Sequence, residues 1–300
     1  MPNMENKMTI KPVYEFLLWD NCNNNCRFCF QRKNGNILSS KDKVTSLGKV
    51  LDFLESEQYV KGSHVLLVGG EIFDESNIPL KVIWMSFIDK IANKMMINDI
   101  DLLYINTNLL YEDLGLVKYL LTTINKFNLW DRLKFTTSYD LEGRFAIKKM
   151  EKLFLHNLYM IKYFYPKCNI VVNTILTNVV CEKILNGDFN PNKFCEEHKC
   201  DINLIPYIVF TKELSATREQ IFKALLKTNE LIPGYFKRYT DNLSLPQEKL
   251  LYKYNKDTSC LDFISCSHLE CGHSENFKLY SENNSCFICE LIKLSEIMGE

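Results

Sequence analysis

Residues 13–30 read VYEFLLWDNCNNNCRFCF: an apolar run from Val13 to Trp19, then at once a polar loop carrying Cys22, Cys26 and Cys29. The run is the first of six strand candidates; His64–Val68, Leu102–Asn106, Lys134–Thr137, Asn169–Ile175 and Ile202–Ile208 follow it. Amphipathic stretches fill the intervals: Lys41–Ser56, Pro79–Met96, Leu114–Phe127, Phe145–Phe164 and a broken one across Val180–His198. The first sets Val44, Leu47, Val50, Leu51 and Leu54 on one stripe behind a Ser39–Ser40 cap region. Repeated strand–helix units imply a parallel sheet or barrel with right-handed crossovers. Six units are too few for a complete eightfold barrel, so the α/β pattern predicts a partial (β/α)6 TIM-like barrel.

Past residue 210 the pattern changes. Helices are expected over Ala216–Leu231 and Pro246–Tyr254, separated by Pro233-Gly234. Beyond Cys260 the chain becomes short, polar and cysteine-rich. The expected division is therefore a partial barrel over 1–210 and a small metal-binding extension over 211–300.

Composition narrows the function. The 300 residues are 46% hydrophobic and 24% charged, which excludes a disordered chain. Lys and Arg total 36 against 37 Asp and Glu, so no basic surplus exists for a nucleic-acid backbone. The opening MPNMENKMTIKP has no apolar signal core, and no long apolar run follows, which predicts a cytoplasmic chain without a membrane partner. In that compartment 12 clustered cysteines read as metal ligands before disulfides.

Three thiolates on the Cys22, Cys26, Cys29 loop can hold three irons of a [4Fe–4S] cube and leave the fourth open to a reactant. The rival readings are a zinc knuckle lacking its fourth ligand, or buried thiols. Asn23, Asn24, Asn25 and Arg27 speak against a buried loop, and structural zinc favours paired C-x2-C units.

With Phe28 ahead of the third cysteine, the triplet resembles the C-x3-C-x-aromatic-C signature of the radical S-adenosylmethionine (SAM) superfamily. Its place after the first strand is similar too, at the barrel end where active sites sit. Gly69-Gly70-Glu71 closes the second strand, where absent Cβ atoms let the backbone approach a ligand. It resembles the family's GGE motif, whose backbone and carboxylate receive the amino group of SAM; Ile72 stands where the family often has proline. Asn106-Thr107-Asn108 is similar to a SAM-lining strand end. Ser138-Tyr139-Asp140 is similar to a turn whose serine reaches the SAM ribose, with Arg144 following near the SAM carboxylate.

The resemblance implies an oxidoreductase. A reduced cluster, supplied with electrons by a flavodoxin or ferredoxin, would cleave SAM to methionine and a 5′-deoxyadenosyl radical, which takes hydrogen from the substrate. In the tail, Cys266-x4-Cys271-x14-Cys286-x2-Cys289 brackets a hairpin read from Phe277–Tyr280, the turn Ser281–Asn284 and the return to Cys286. This is similar to a twitch domain, or the first half of a SPASM domain, and implies a second iron–sulfur cluster. Zinc is the alternative, with His268 and His273 flanking Cys271 and Cys260 spare. Cys195-Glu-Glu-His198-Lys-Cys200 reads as a solvated helix end.

The tail resemblance points to a peptide or protein side chain as substrate. A small metabolite or nucleotide, with a zinc-bearing tail, is the alternative. A non-catalytic cysteine-rich metal-binding module is a third reading, but it leaves the open three-cysteine site and Gly69-Gly70-Glu71 unexplained.

Overall fold

The computed structural model describes residues 11–27, 29, 37–145, 147–206, 214–236, 248–268, 281–282 and 285–286. Six strand–helix units come first. Strands β1 (Val13–Leu17), β2 (Ser63–Val68), β3 (Ile100–Thr107), β4 (Leu133–Ser138), β5 (Ile170–Leu176) and β6 (Asp201–Pro206) are all parallel. Helices α1 (Ser40–Glu55), α2 (Lys81–Met96), α3 (Gly115–Lys126) and α4 (Lys148–Phe164) fill the intervals. The pair α5 (Asn178–Asn186) and α6 (Pro191–His198) joins β5 to β6, broken at left-handed Gly187 (φ 87°). The last, α7, spans Arg218–Leu231. Ser39 caps α1 in a reciprocal box with Asp42, as the Ser39–Ser40 signal predicts.

Strand order in the sheet is β6-β5-β4-β3-β2-β1, with no reversal. Crossovers of one hand then place every helix on the same face. Burial agrees. Phe16, Val65, Leu67, Leu103, Ile105, Phe135, Val172 and Leu204 are at most 1% exposed and share one core with Val50 of α1, Phe87 of α2, Leu121 of α3 and Phe154 of α4. The alternate positions, Glu15, Leu66, Tyr104, Asn106, Thr136, Ser138, Asn173 and Asn203, are half-buried or exposed. Parallel sheets ordinarily bury both faces. Among the described residues this one has a dry helix side and a more polar, half-buried side.

Two strands extend the sheet beyond β1, and here the sequence reading is corrected. Residues Glu248–Asn255 form β7, parallel to β1, where a helix over Pro246–Tyr254 was expected. Leu250, Leu251 and Tyr254 fit a helical stripe, but the period-two set Leu250, Tyr252 and Tyr254 wins in context. Tyr252 packs 4.7 Å from Phe53 and 5.9 Å from Phe16, ring centre to ring centre. Cys260–His268 forms β8, antiparallel to β7, so the cysteine-rich stretch begins as a sheet edge. Ser281–Glu282 forms β9, antiparallel to β10 (Ser285–Cys286), where the turn Ser281–Asn284 was expected; the strand expected over Phe277–Tyr280 lies outside the described residues. Among the described residues no helix is long and apolar enough to cross a membrane.

Candidate cofactor site at the ends of β1 to β4

The cysteine loop is anchored by backbone. Past their paired residues, β1 and β2 continue to bond: Leu18 N–H donates to Val68 O (2.9 Å), Gly70 N–H to Trp19 O (2.7 Å) and Glu71 N–H to Asn21 O (2.8 Å). A Cβ on Gly70 would lie 2.2 Å from the Asn21 oxygen and 2.5 Å from that of Asp20; one on Gly69 would lie 2.9 Å from the Trp19 oxygen. Real Cβ contacts are not that short. The missing Cβ atoms therefore admit the chain's own loop entrance, and they fix where Cys22 begins.

Glu71 ties this junction to β3. Its side chain is 1% exposed and accepts from Phe73 N–H (3.0 Å), the Thr107 hydroxyl (2.8 Å) and Asn108 N–H (2.6 Å). Burial nevertheless outweighs these donors and lifts its pKa from 4.5 to about 7. The folded chain thus holds a proton between those values that the unfolded chain has released. This contribution to stability is complete below pH 4.5 and is lost as pH rises through about 7. The loss is about 3 kcal/mol across that window. Urea denaturation of the metal-free chain should show this fall, and Glu71→Gln should flatten it; parallel profiles would refute the assignment.

Asn108 carries the link onward. Its Nδ2 donates to Asn23 Oδ1 at 2.8 Å and lies 3.6 Å from Cys22 Sγ. Cys22 Sγ also accepts from Asn24 N–H (3.4 Å), and Cys26 Sγ from Asn24 Nδ2 (3.2 Å). Cys29 N–H returns to Cys26 O at 3.2 Å. Asn24 is only 5% exposed, because its amide also donates to Arg144 O (3.2 Å) and its oxygen accepts from Asn25 N–H (2.7 Å). Polar residues were read as keeping this loop out of the interior, and for Asn24 that reading is corrected. A short amide that satisfies nearby backbone and sulfur groups can be buried.

The fourth strand adds an ion pair. Asp140, fully buried, accepts from Arg144 Nε (2.6 Å) and, through its other oxygen, from Ile175 N–H (2.7 Å). Burial raises the Asp140 carboxyl, while the guanidinium and the Ile175 N–H hold it back. Arg27 N–H donates to Gly143 O at 2.8 Å, so the Arg144 turn closes over the cysteine loop. Lys253 of β7 bonds Asp20 at 2.8 Å and joins the C-terminal strands to the same loop. Asn24 and Lys253 were missed by the sequence reading.

Of the sequence-predicted residues, Cys22, Cys26, Cys29, Gly69, Gly70, Glu71, Asn108, Asp140 and Arg144 meet at this strand-end edge. Asn106 and Ser138 stand on the polar face of the sheet; Thr136 donates to Asn106 at 3.3 Å, and Ser138 lies opposite Asn173. Phe28, Cys271, His273 and Cys289 lie outside the described residues, whereas Cys266 and Cys286 are placed in β8 and β10.

The donor set suits iron–sulfur ligation in kind. Cys22, Cys26 and Cys29 are half-buried thiols, not disulfides, with N–H groups directed at two sulfurs and a guanidinium alongside. Burial pushes the Cys22 thiol up to about 11, so a metal would displace its proton on binding. Among the described residues no three His, Cys, Asp or Glu side chains already converge on one point. Ligation would require the loop to draw its thiols together. No protein-family model matches the chain, and no curated protein matches it significantly.

Proposed function

We propose that the protein is a radical SAM enzyme on a partial (β/α)6 barrel, with a [4Fe–4S] cluster on Cys22, Cys26 and Cys29. The observation that carries this reading is the seating of the three-cysteine loop on Gly69-Gly70, beneath Asn108 and Arg144, at one edge of four parallel strands. The single winding and the one buried face support a sheet curled around its polar side. Cluster and SAM, when bound, supply one-electron reductive cleavage of SAM and removal of hydrogen from an unactivated substrate position.

The chain's own groups set the stage for that chemistry. The thiols release their protons to hold iron, and the Asn24 and Asn108 N–H groups with Arg144 offset the resulting negative charge. Glu71 acts through Asn108 and Thr107, whose positions it fixes. Asn106 and Ser138 offer polar contacts to SAM on the polar face, which the barrel would screen from water.

The tail cysteines Cys266, Cys271, Cys286 and Cys289 would hold a second cluster, and the substrate would be a peptide or protein side chain. Anaerobic reconstitution should load roughly eight irons per chain. The Cys22/Cys26/Cys29→Ala variant should keep about four, with a reducible chromophore. Zinc without iron in that variant would make the tail structural; an unchanged iron count would overturn the assignment of the loop.

A further inference from the structure

A second cysteine pair lies away from the strand-end site, where α6 turns into β6. The helix ends at His198; Lys199 adopts the left-handed conformation (φ 52°, ψ 47°), and both the Lys199 and Cys200 N–H groups donate to Cys195 O, the latter at 3.2 Å. This is the six-to-one closure of a Schellman cap, which sets the side chains at its two ends against one another. Here both ends are cysteines. The neighbouring Cys195 thiol, and then burial, push the Cys200 thiol well above its ordinary range. Cys200 is 8% exposed, whereas Cys195 is half-buried, packed on one side against the core. Cys168, at the neighbouring start of β5, is fully buried.

We propose that Cys195 and Cys200 form a redox modification site, which a peroxide converts reversibly to an intrachain disulfide across the α6 cap. The Cys195 sulfur, on the more exposed residue of the two, attacks a peroxide oxygen as its thiolate, having released its proton. The O–O bond breaks, a sulfenic acid forms, and the departing hydroxide takes up a proton as water. The Cys200 sulfur then attacks the Cys195 sulfur; the S–O bond breaks, and the second water leaves with the Cys200 proton. Two thiols lose two electrons, and one peroxide becomes two waters. The cap's backbone closure keeps the two residues beside one another, which makes the second step intramolecular, so it outruns further oxidation of Cys195.

The test uses the full chain with hydrogen peroxide as probe, followed by alkylation without reduction and trypsin. Cleavage after Lys199 separates the two cysteines, so a disulfide leaves peptides 194–199 and 200–212 joined. The linked species should dominate after about one equivalent of peroxide and vanish on thiol reduction. In Cys195→Ser it should be absent, with Cys200 still open to alkylation after unfolding. Separate alkylated peptides in the wild-type chain, over-oxidised Cys195, or Cys195 joined to another cysteine would each overturn the proposal. Because the readout is assigned peptide by peptide, its outcome is independent of cluster loading at Cys22, Cys26 and Cys29.

Discussion

Replacing Gly70 by alanine is expected to unseat the cysteine loop and cost about 3 kcal/mol or more of stability. The new methyl would lie 2.2 Å from the Asn21 oxygen and 2.5 Å from the Asp20 oxygen. Both are backbone atoms, so no rotamer change relieves the clash. The β1–β2 junction must open, breaking the 2.7 Å bond from Gly70 to Trp19 and the 2.8 Å bond from Glu71 to Asn21. The control is Gly48→Ala in the middle of α1, where nothing lies within 4 Å. That change should stabilise by about 0.5–1 kcal/mol. Urea denaturation measures both, and iron retained after reconstitution reports the loop. A Gly70→Ala chain as stable as wild type, with full iron, would mean that the junction does not hold the loop.

The Arg144→Ala change should be nearly as severe, at about 3–5 kcal/mol, since it strands a buried charge. Asp140 is fully buried and its carboxyl is already raised by that burial, so the ion pair contributes little net stability as a pair. Loss of one partner is a different matter. Among the described residues the carboxylate would then keep only its bond from Ile175 N–H. The double change Asp140→Asn with Arg144→Met should recover most of the loss, because no unpaired charge remains. Equal stability of single and double variants in denaturant titrations would refute this account of the pair.

The six parallel strands were legible because each is a compact apolar run between helical stripes. Strand β7 was not. Its Leu250, Leu251 and Tyr254 satisfy a helical spacing, and only the aromatic wall of Tyr14, Phe16 and Phe53 selects the extended form. The polar and cysteine content of Cys260–His268 likewise hid β8, whose pairing depends on β7 being there first. At the site, the cysteine spacing and the glycine pair were visible as local patterns. Asn24 was not, since its burial depends on Arg144, 120 residues away in sequence, arriving beside it. The Gly69-Gly70 pair was read as room for a ligand; its immediate neighbour is the protein's own backbone, which sequence spacing alone does not reveal.

The most direct measurement of the central claim is the release of 5′-deoxyadenosine from SAM by the anaerobically reconstituted, reduced protein, beside the Cys22/Cys26/Cys29→Ala variant. The account predicts release by the wild-type chain and none by the variant, whose circular dichroism should remain that of the folded chain. Cleavage that survives in the variant, or an iron-loaded wild-type chain that leaves SAM intact, would contradict it.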